Sequence, residues 1–174
     1  MSQHTVYLLL GSNLGDRMKQ LDQATVLISG SIGIIILHSS TYETEPWGFL
    51  SDHTFLNRAV KVITNLSPHE IMAKINEIEK LSGRERKGEG YVSRTLDIDI
   101  LFYDDMVMDE DLLKIPHPRI QDRRFVLVPL NEIAPQLIHP ALNKTIGELL
   151  LECRDEKEVK VIPKAPPLQE EGLG

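Results

Sequence analysis

The first apolar run, Val6–Leu10, is short and unbroken, the texture of a buried strand, and Gly11-Ser12-Asn13 closes it. Ser12 or Asn13 is placed to cap a following helix whose apolar positions are Leu14, Met18, Leu21 and Val26, with Gly30 and Gly33 as its stop. Ile34–Tyr42 is rich in β-branched residues and predicts a strand, broken by Glu45-Pro46-Trp47-Gly48. Phe55–Ile63 alternates as a second long strand, antiparallel to the one before it. Ser67-Pro68 reads as an N-cap and first turn, and Ile71, Ile75, Ile78 and Leu81 form a helical stripe that ends at Gly83. Arg84–Ser93 is a charged loop, and Leu96–Tyr103 is a strand again.

Beyond Tyr103 the pattern loosens. Met106–Leu113 predicts a hairpin arm or turn, and Ile115-Pro116-His117-Pro118 a stiff extended loop. Arg123–Pro129 leads into a helix ending near Ala134, and Thr145–Leu151 forms a last short helix. The order β-α-β-β-α-β predicts a ferredoxin-like α+β sandwich, a mainly antiparallel sheet with helices packed on one face. One domain is expected over residues 1–162, with 163–174 as a flexible tail.

Composition narrows the function classes. A formal net charge of -7 argues against broad nucleic-acid binding, which needs a basic face. Cys153 is the only cysteine, so neither an internal disulfide nor a cysteine-rich zinc site is expected. The N-terminal apolar run is too short for a signal peptide or a membrane span, so a cytoplasmic location without a membrane partner is expected.

The sharpest chemistry lies in Arg94-Thr95-Leu96-Asp97-Ile98-Asp99-Ile100-Leu101. Alternate side chains of a strand share a face, so Asp97 and Asp99 project together while Leu96, Ile98 and Ile100 face the other way. Neighbouring carboxylates repel unless a cation sits between them, and magnesium favours a few carboxylates plus phosphate oxygens. A bare Asp-x-Asp is also a common solvated strand face; the flanking apolar residues make this one a core strand. Arg84, Arg86, Lys87 and Arg94 stand just upstream, and guanidinium forks suit a polyphosphate. The turn Gly11-Ser12-Asn13-Leu14-Gly15-Asp16 lacks the Gly-Lys-Ser/Thr ending of a phosphate loop and reads as a strand-to-helix turn near the site. A nucleotidyltransferase also uses paired strand carboxylates, and a non-catalytic small-molecule sensor shares the fold; both remain open on the residues alone.

GSNLGD, the Thr44–Gly48 turn, FLNRAV, SGRERK, SRTLDIDILFYD, IPHPR and DRRFVLVPL, in that order, resemble the 6-hydroxymethyl-7,8-dihydropterin pyrophosphokinase family. The resemblance implies a monomeric ferredoxin-like enzyme of folate biosynthesis. It would move the pyrophosphoryl unit of ATP onto the pterin hydroxymethyl group and release AMP. Asp97 and Asp99 would hold two magnesium ions, with Arg84 and Arg94 on the phosphates as catalytic groups. Asn76, Glu79, Arg86, Lys87, Ile100, Lys114, His117 and Arg123 would serve the ATP. Thr44, Glu45, Trp47, Phe55, Asn57, Asp97 and Phe125 would serve the pterin, Phe55 and Phe125 bordering its ring. The chain departs from the family pattern at Tyr91-Val92-Ser93, where Trp-Gly-Pro is common, at Phe55, where tyrosine is frequent, and at Glu45, where proline is common. Arg84–Ser93, with Gly88 and Gly90, is expected to be a lid that orders over the triphosphate.

Overall fold

The structure, a computed structural model, describes residues 2–45, 54–82 and 96–164. Strand β1 (His4–Ser12) runs between β4 (Phe55–Thr64) and β5 (Asp97–Tyr103), antiparallel to both. The outer side of β4 is taken by two short strands, β2 (Ile34–His38) and β3 (Tyr42–Thr44), and β10 (Val159–Val161) adds to β3 at the edge. With helices α1 (Arg17–Ser31) and α2 (Pro68–Leu81) as the crossovers, this is the ferredoxin-like arrangement.

Helices cover both faces of the sheet, not one. Val6, Leu8 and Leu10 pack with Leu21, Ala24 and Ile28 of α1 and Ile71, Ile75 and Ile78 of α2. Tyr7 and Leu9 point the other way, into a second core with Val126, Leu127 and Leu130 of α3 (Arg124–Ile133) and Ile146 and Leu149 of α4 (Ile146–Glu152). An unbroken apolar run is what a strand buried on both faces needs, and β1 has one. Hairpins β6–β7 (Met108–Glu110, Leu113–Ile115) and β8–β9 (Ile138–His139, Lys144–Thr145) complete the domain.

Several local expectations are corrected. Ser12 and Asn13 do not cap α1: Ser12 still pairs with Leu56 of β4, so the turn falls later, with Gly15 at φ +68°. Asp16 is the cap, its carboxylate accepting from the Lys19 N–H at 3.1 Å. Val26 lies on the solvent side of α1, 71% exposed, and Leu81 on that of α2, 75% exposed. The strand expected over Ile34–Tyr42 is broken at 39–41. There the Ser39 hydroxyl accepts from the Ala59 N–H at 2.9 Å, while Ser40 turns its N–H and hydroxyl to Glu132 of α3. Serine side chains that compete for backbone partners end a strand that propensity alone would continue.

Helix α2 meets expectation at its start, where Ser67 and Glu70 exchange side-chain bonds to each other's backbone N–H. Helix α3 begins without a cap from its own N-terminal residue, and Asp155, from beyond α4, accepts the Arg124 N–H at 3.0 Å.

Candidate active site

The floor of the site follows from strand register. Asp97 of β5, Gly11 of β1, Asn57 of β4 and Tyr42 of β3 are successive partners and form one row across four strands. Asp99 stands in the next row, beside Leu9. Period-2 alternation puts Asp97 and Asp99 on the face of Tyr7 and Leu9, which α3 covers, while Ile98 and Ile100 are buried against α2. Both aspartates are half-buried.

Thr44 and Phe55 are partners in the row beyond Tyr42 and Asn57, on the same face. The Asn57 amide donates to the Thr44 hydroxyl at 2.7 Å, with both residues buried. Gly11 makes room for that amide: a Cβ there would lie 3.1 Å from Asn57 Oδ1 and 3.9 Å from Phe55 Cδ1. In the sequence alone Gly11 reads as part of a turn. A glycine inside a strand is itself a signal of close approach, and it could have been read so.

The opposite wall is the first turn of α3. Arg123 precedes the helix and its guanidinium carbon stands 5.8 Å from the centre of the Phe125 ring. His117 sits between this wall and β5, its backbone N–H donating to Leu101 at 3.1 Å. Its imidazole pKa is pushed down to about 4, first by burial and then by Arg123 and Arg119, with Asp97 opposing. The Arg119 N–H donates to Nδ1 at 3.3 Å, so the neutral ring carries its proton on Nε2. Such a ring offers a hydrogen bond without a fixed charge. Arg119, which sets that tautomer, carries no sequence signal beyond its nearness to His117.

A cleft of about 250 Å³ opens at the outer edge of β5, lined by Asp99, Ile100, Lys114, His117, Met72 and residues 111–113. It brings together three of the residues assigned to the nucleotide, Ile100, Lys114 and His117, with the metal candidate Asp99. Lys114 is exposed and pairs with Asp109. Glu79 is 4% exposed, and its carboxylate accepts from the Ile98 N–H at 3.4 Å, which ties α2 to β5. Asn76 is exposed on α2 and outside the lining of this cleft, and Glu45 is exposed just after β3. Trp47, Arg84, Arg86, Lys87 and Arg94, with the expected lid, lie outside the described residues. Roomier clefts of about 560 and 780 Å³ lie elsewhere, against α4 and α1, away from the paired aspartates; chemistry rather than volume picks the site.

The donor set suits a hard divalent cation. Among the described residues no group of three or more histidine, cysteine or acidic side chains could hold a metal. Two carboxylates with room for phosphate and water oxygens is the partial set that magnesium takes beside a polyphosphate.

An acidic sheet face opposite donors that suit phosphate, beside a cleft at a strand edge, places the protein among phosphotransferases with a ferredoxin-like core. Comparison with known proteins makes this particular. Residues 7–135 match the family model of 7,8-dihydro-6-hydroxymethylpterin-pyrophosphokinase (HPPK), and the chain belongs to that family. The 2-amino-4-hydroxy-6-hydroxymethyldihydropteridine pyrophosphokinase of Aquifex aeolicus is 42% identical over 144 residues, 83% of this chain and 89% of its own. That of Porphyromonas gingivalis is 43% identical over 138 residues, 78% of this chain and 93% of its own. Among solved structures, wild-type Plasmodium falciparum HPPK-DHPS with pteroate superposes with a TM-score of 0.73 over 87% of this chain at 19% identity, which supports the fold. This chain spans 44% of that longer polypeptide.

Proposed function

We infer that the protein transfers pyrophosphate from ATP to the hydroxymethyl group of 6-hydroxymethyl-7,8-dihydropterin, giving AMP and the dihydropterin diphosphate, a step in folate biosynthesis. Its membership in the pyrophosphokinase family carries the reaction. The observation that carries the site is the Asp97–Asp99 face, with Gly11 and Asn57 along its floor and Arg123, Phe125 and His117 opposite.

In this reading the pterin lies on the row formed by Asp97, Gly11 and Asn57. Thr44 and Glu45 stand at its edge, with Phe55 and Phe125 against its ring. Aromatic faces hold a flat heterocycle at low entropic cost, and the buried amide and carboxylate select its hydrogen-bonding edge. ATP takes the β5 cleft, where Ile100, Lys114 and His117 meet it, with Asn76 and Glu79 as its α2 side. Asp97 and Asp99 would hold magnesium, two ions by the resemblance, and the metal would neutralise phosphate charge when bound. His117, neutral and protonated on Nε2, donates to a phosphate oxygen, and Arg123 adds charge from the α3 wall.

The pterin hydroxyl oxygen forms a bond to the β-phosphorus as the bond from that phosphorus to the α,β-bridging oxygen breaks. AMP leaves with the electron pair, and the hydroxyl proton is released. Such a step asks mainly for alignment and charge stabilisation, which a rigid sheet floor supplies.

The acidic balance gives no reason for a nucleic-acid partner, and no helix among the described residues is long and apolar enough to cross a membrane. We propose a monomeric cytoplasmic enzyme whose working unit is residues 1–162, with 163–174 as a tail. The test of activity is incubation with ATP, magnesium and the hydroxymethyl-dihydropterin. AMP that appears only when the pterin is present supports the reading; release of inorganic pyrophosphate instead would make the protein a nucleotidyltransferase.

A further inference from the structure

Tyr42 ends the row that begins at Asp97, and its hydroxyl does not face the pocket. It donates to Glu132 Oε2 of α3 at 2.6 Å. The Ser40 hydroxyl donates to Oε1 at 2.7 Å, and the Ser40 N–H lies 3.1 and 3.0 Å from the two carboxylate oxygens. Burial acts to raise the Glu132 pKa, but the bonds from Tyr42 and Ser40 outweigh it and hold the carboxyl below its usual range. The Tyr42 hydroxyl is pushed up to about 12, by burial first and then by Glu132. One ionised acceptor thus gathers three donor groups from residues 40–42.

The placement of this cluster matters more than its strength. Glu132 follows Phe125 by seven residues, two helical turns, so both lie on one side of α3. At one end of this line the helix carries Phe125, and at the other it grips the segment that leads into β3, which carries Thr44. Val126, Leu127 and Leu130 seat α3 on the sheet through apolar contacts, which fix depth but not lateral position. Packed helices slide by small shear steps unless directional bonds stop them. Glu132 supplies such bonds.

We propose that Glu132 is a positioning residue for the dihydropterin pocket, setting the distance between the Phe125 end of α3 and the Thr44 wall of β3 through Ser40 and Tyr42. The proposal rests on the pterin reading given above. It predicts a loss confined to one of the two substrates, because the nucleotide cleft at β5 lies on the opposite edge of the sheet.

The experiment measures calorimetric Kd values for hydroxymethyl-dihydropterin, with a non-hydrolysable ATP analogue and magnesium present, and separately for the ATP analogue. Glu132→Ala should weaken the pterin about tenfold and change the analogue by less than about twofold. Glu132→Gln, which keeps one carbonyl acceptor for Ser40 and an amide for the Tyr42 oxygen, should recover part of the loss. Tyr42→Phe removes a single bond and carries the same test if the alanine variant fails to fold. Its effect should shrink in the Glu132→Gln background, since both act through one contact. Equal losses for both ligands, or no pterin loss in a folded variant, would overturn the positioning role. Wild-type protein that binds no dihydropterin would overturn the functional reading itself.

Discussion

Gly11→Ala adds one methyl group to the middle of the floor proposed for the pterin, and the structure fixes what it meets. The new Cβ would stand 3.1 Å from Asn57 Oδ1, about 0.3 Å inside the 3.4 Å at which ordinary contact begins. The amide cannot retreat. β4 lies between β1 and β3, so a push from Gly11 drives Asn57 toward Thr44, whose hydroxyl is already 2.7 Å from Nδ2. That is near the short limit for such a bond, so the amide must rotate and lose it. Losing a buried hydrogen bond costs about 1–3 kcal/mol, and removing a strand glycine returns about 0.5–1 kcal/mol. The net stability loss should therefore stay below roughly 2.5 kcal/mol, which for a domain of this size lowers Tm by no more than about 10 °C. The pterin should suffer separately if Asn57 meets its edge as proposed, because that amide is no longer held. One or two such bonds correspond to roughly a 5- to 150-fold rise in Kd. Calorimetry with the pterin and with an ATP analogue, beside a thermal melt, separates the two effects. An unchanged pterin Kd in the folded variant would refute the placement of Asn57 on the pterin edge.

Three further outcomes follow from the same geometry. Asp97→Asn or Asp99→Asn should lower AMP formation by at least about a hundredfold at saturating magnesium while leaving the fold intact; near-normal turnover would remove the metal assignment. Phe125→Ala should weaken pterin binding by about 1 kcal/mol or more with little change for ATP, and equal losses would return Phe125 to the core. His117 has a folded pKa of about 4, below the ordinary 6.5 of an unfolded histidine, so its contribution to stability is intact above about pH 6.5 and is lost as pH falls toward 4. His117→Gln should remove that part of the acid-side fall in Tm, and an NMR titration that places the His117 midpoint near 6.5 would contradict the burial argument.

The legible parts of this chain were those that local rules decide. β5 could be read because Leu96, Ile98 and Ile100 set a period of two that leaves Asp97 and Asp99 on the other face. The start of α2 could be read because Ser67-Pro68 is both a cap and a first turn. What escaped depends on partners far along the chain. The break after β2 is made by Ala59 and Glu132, and β10 is three residues of a polar C-terminal stretch that form a strand only because β3 offers an edge. The second helical layer was foreshadowed by the unbroken Val6–Leu10 run, whose residues alternate between two cores. Glu79 sits inside α2's buried face because the Ile98 N–H draws its carboxylate there, a contact that no helical period predicts. Of the site, the acidic floor was plain, but the role of Gly11 as space for Asn57 needed the register of β1 against β4.

Isotope position in the products reports whether two phosphoryl groups move from ATP as one unit. ATP labelled at the β-phosphorus and ATP labelled at the γ-phosphorus should each deliver their label to the pterin product, in equal amount, with unlabelled AMP released in the same proportion. Transfer of the γ label alone, with ADP as the other product, would contradict the account.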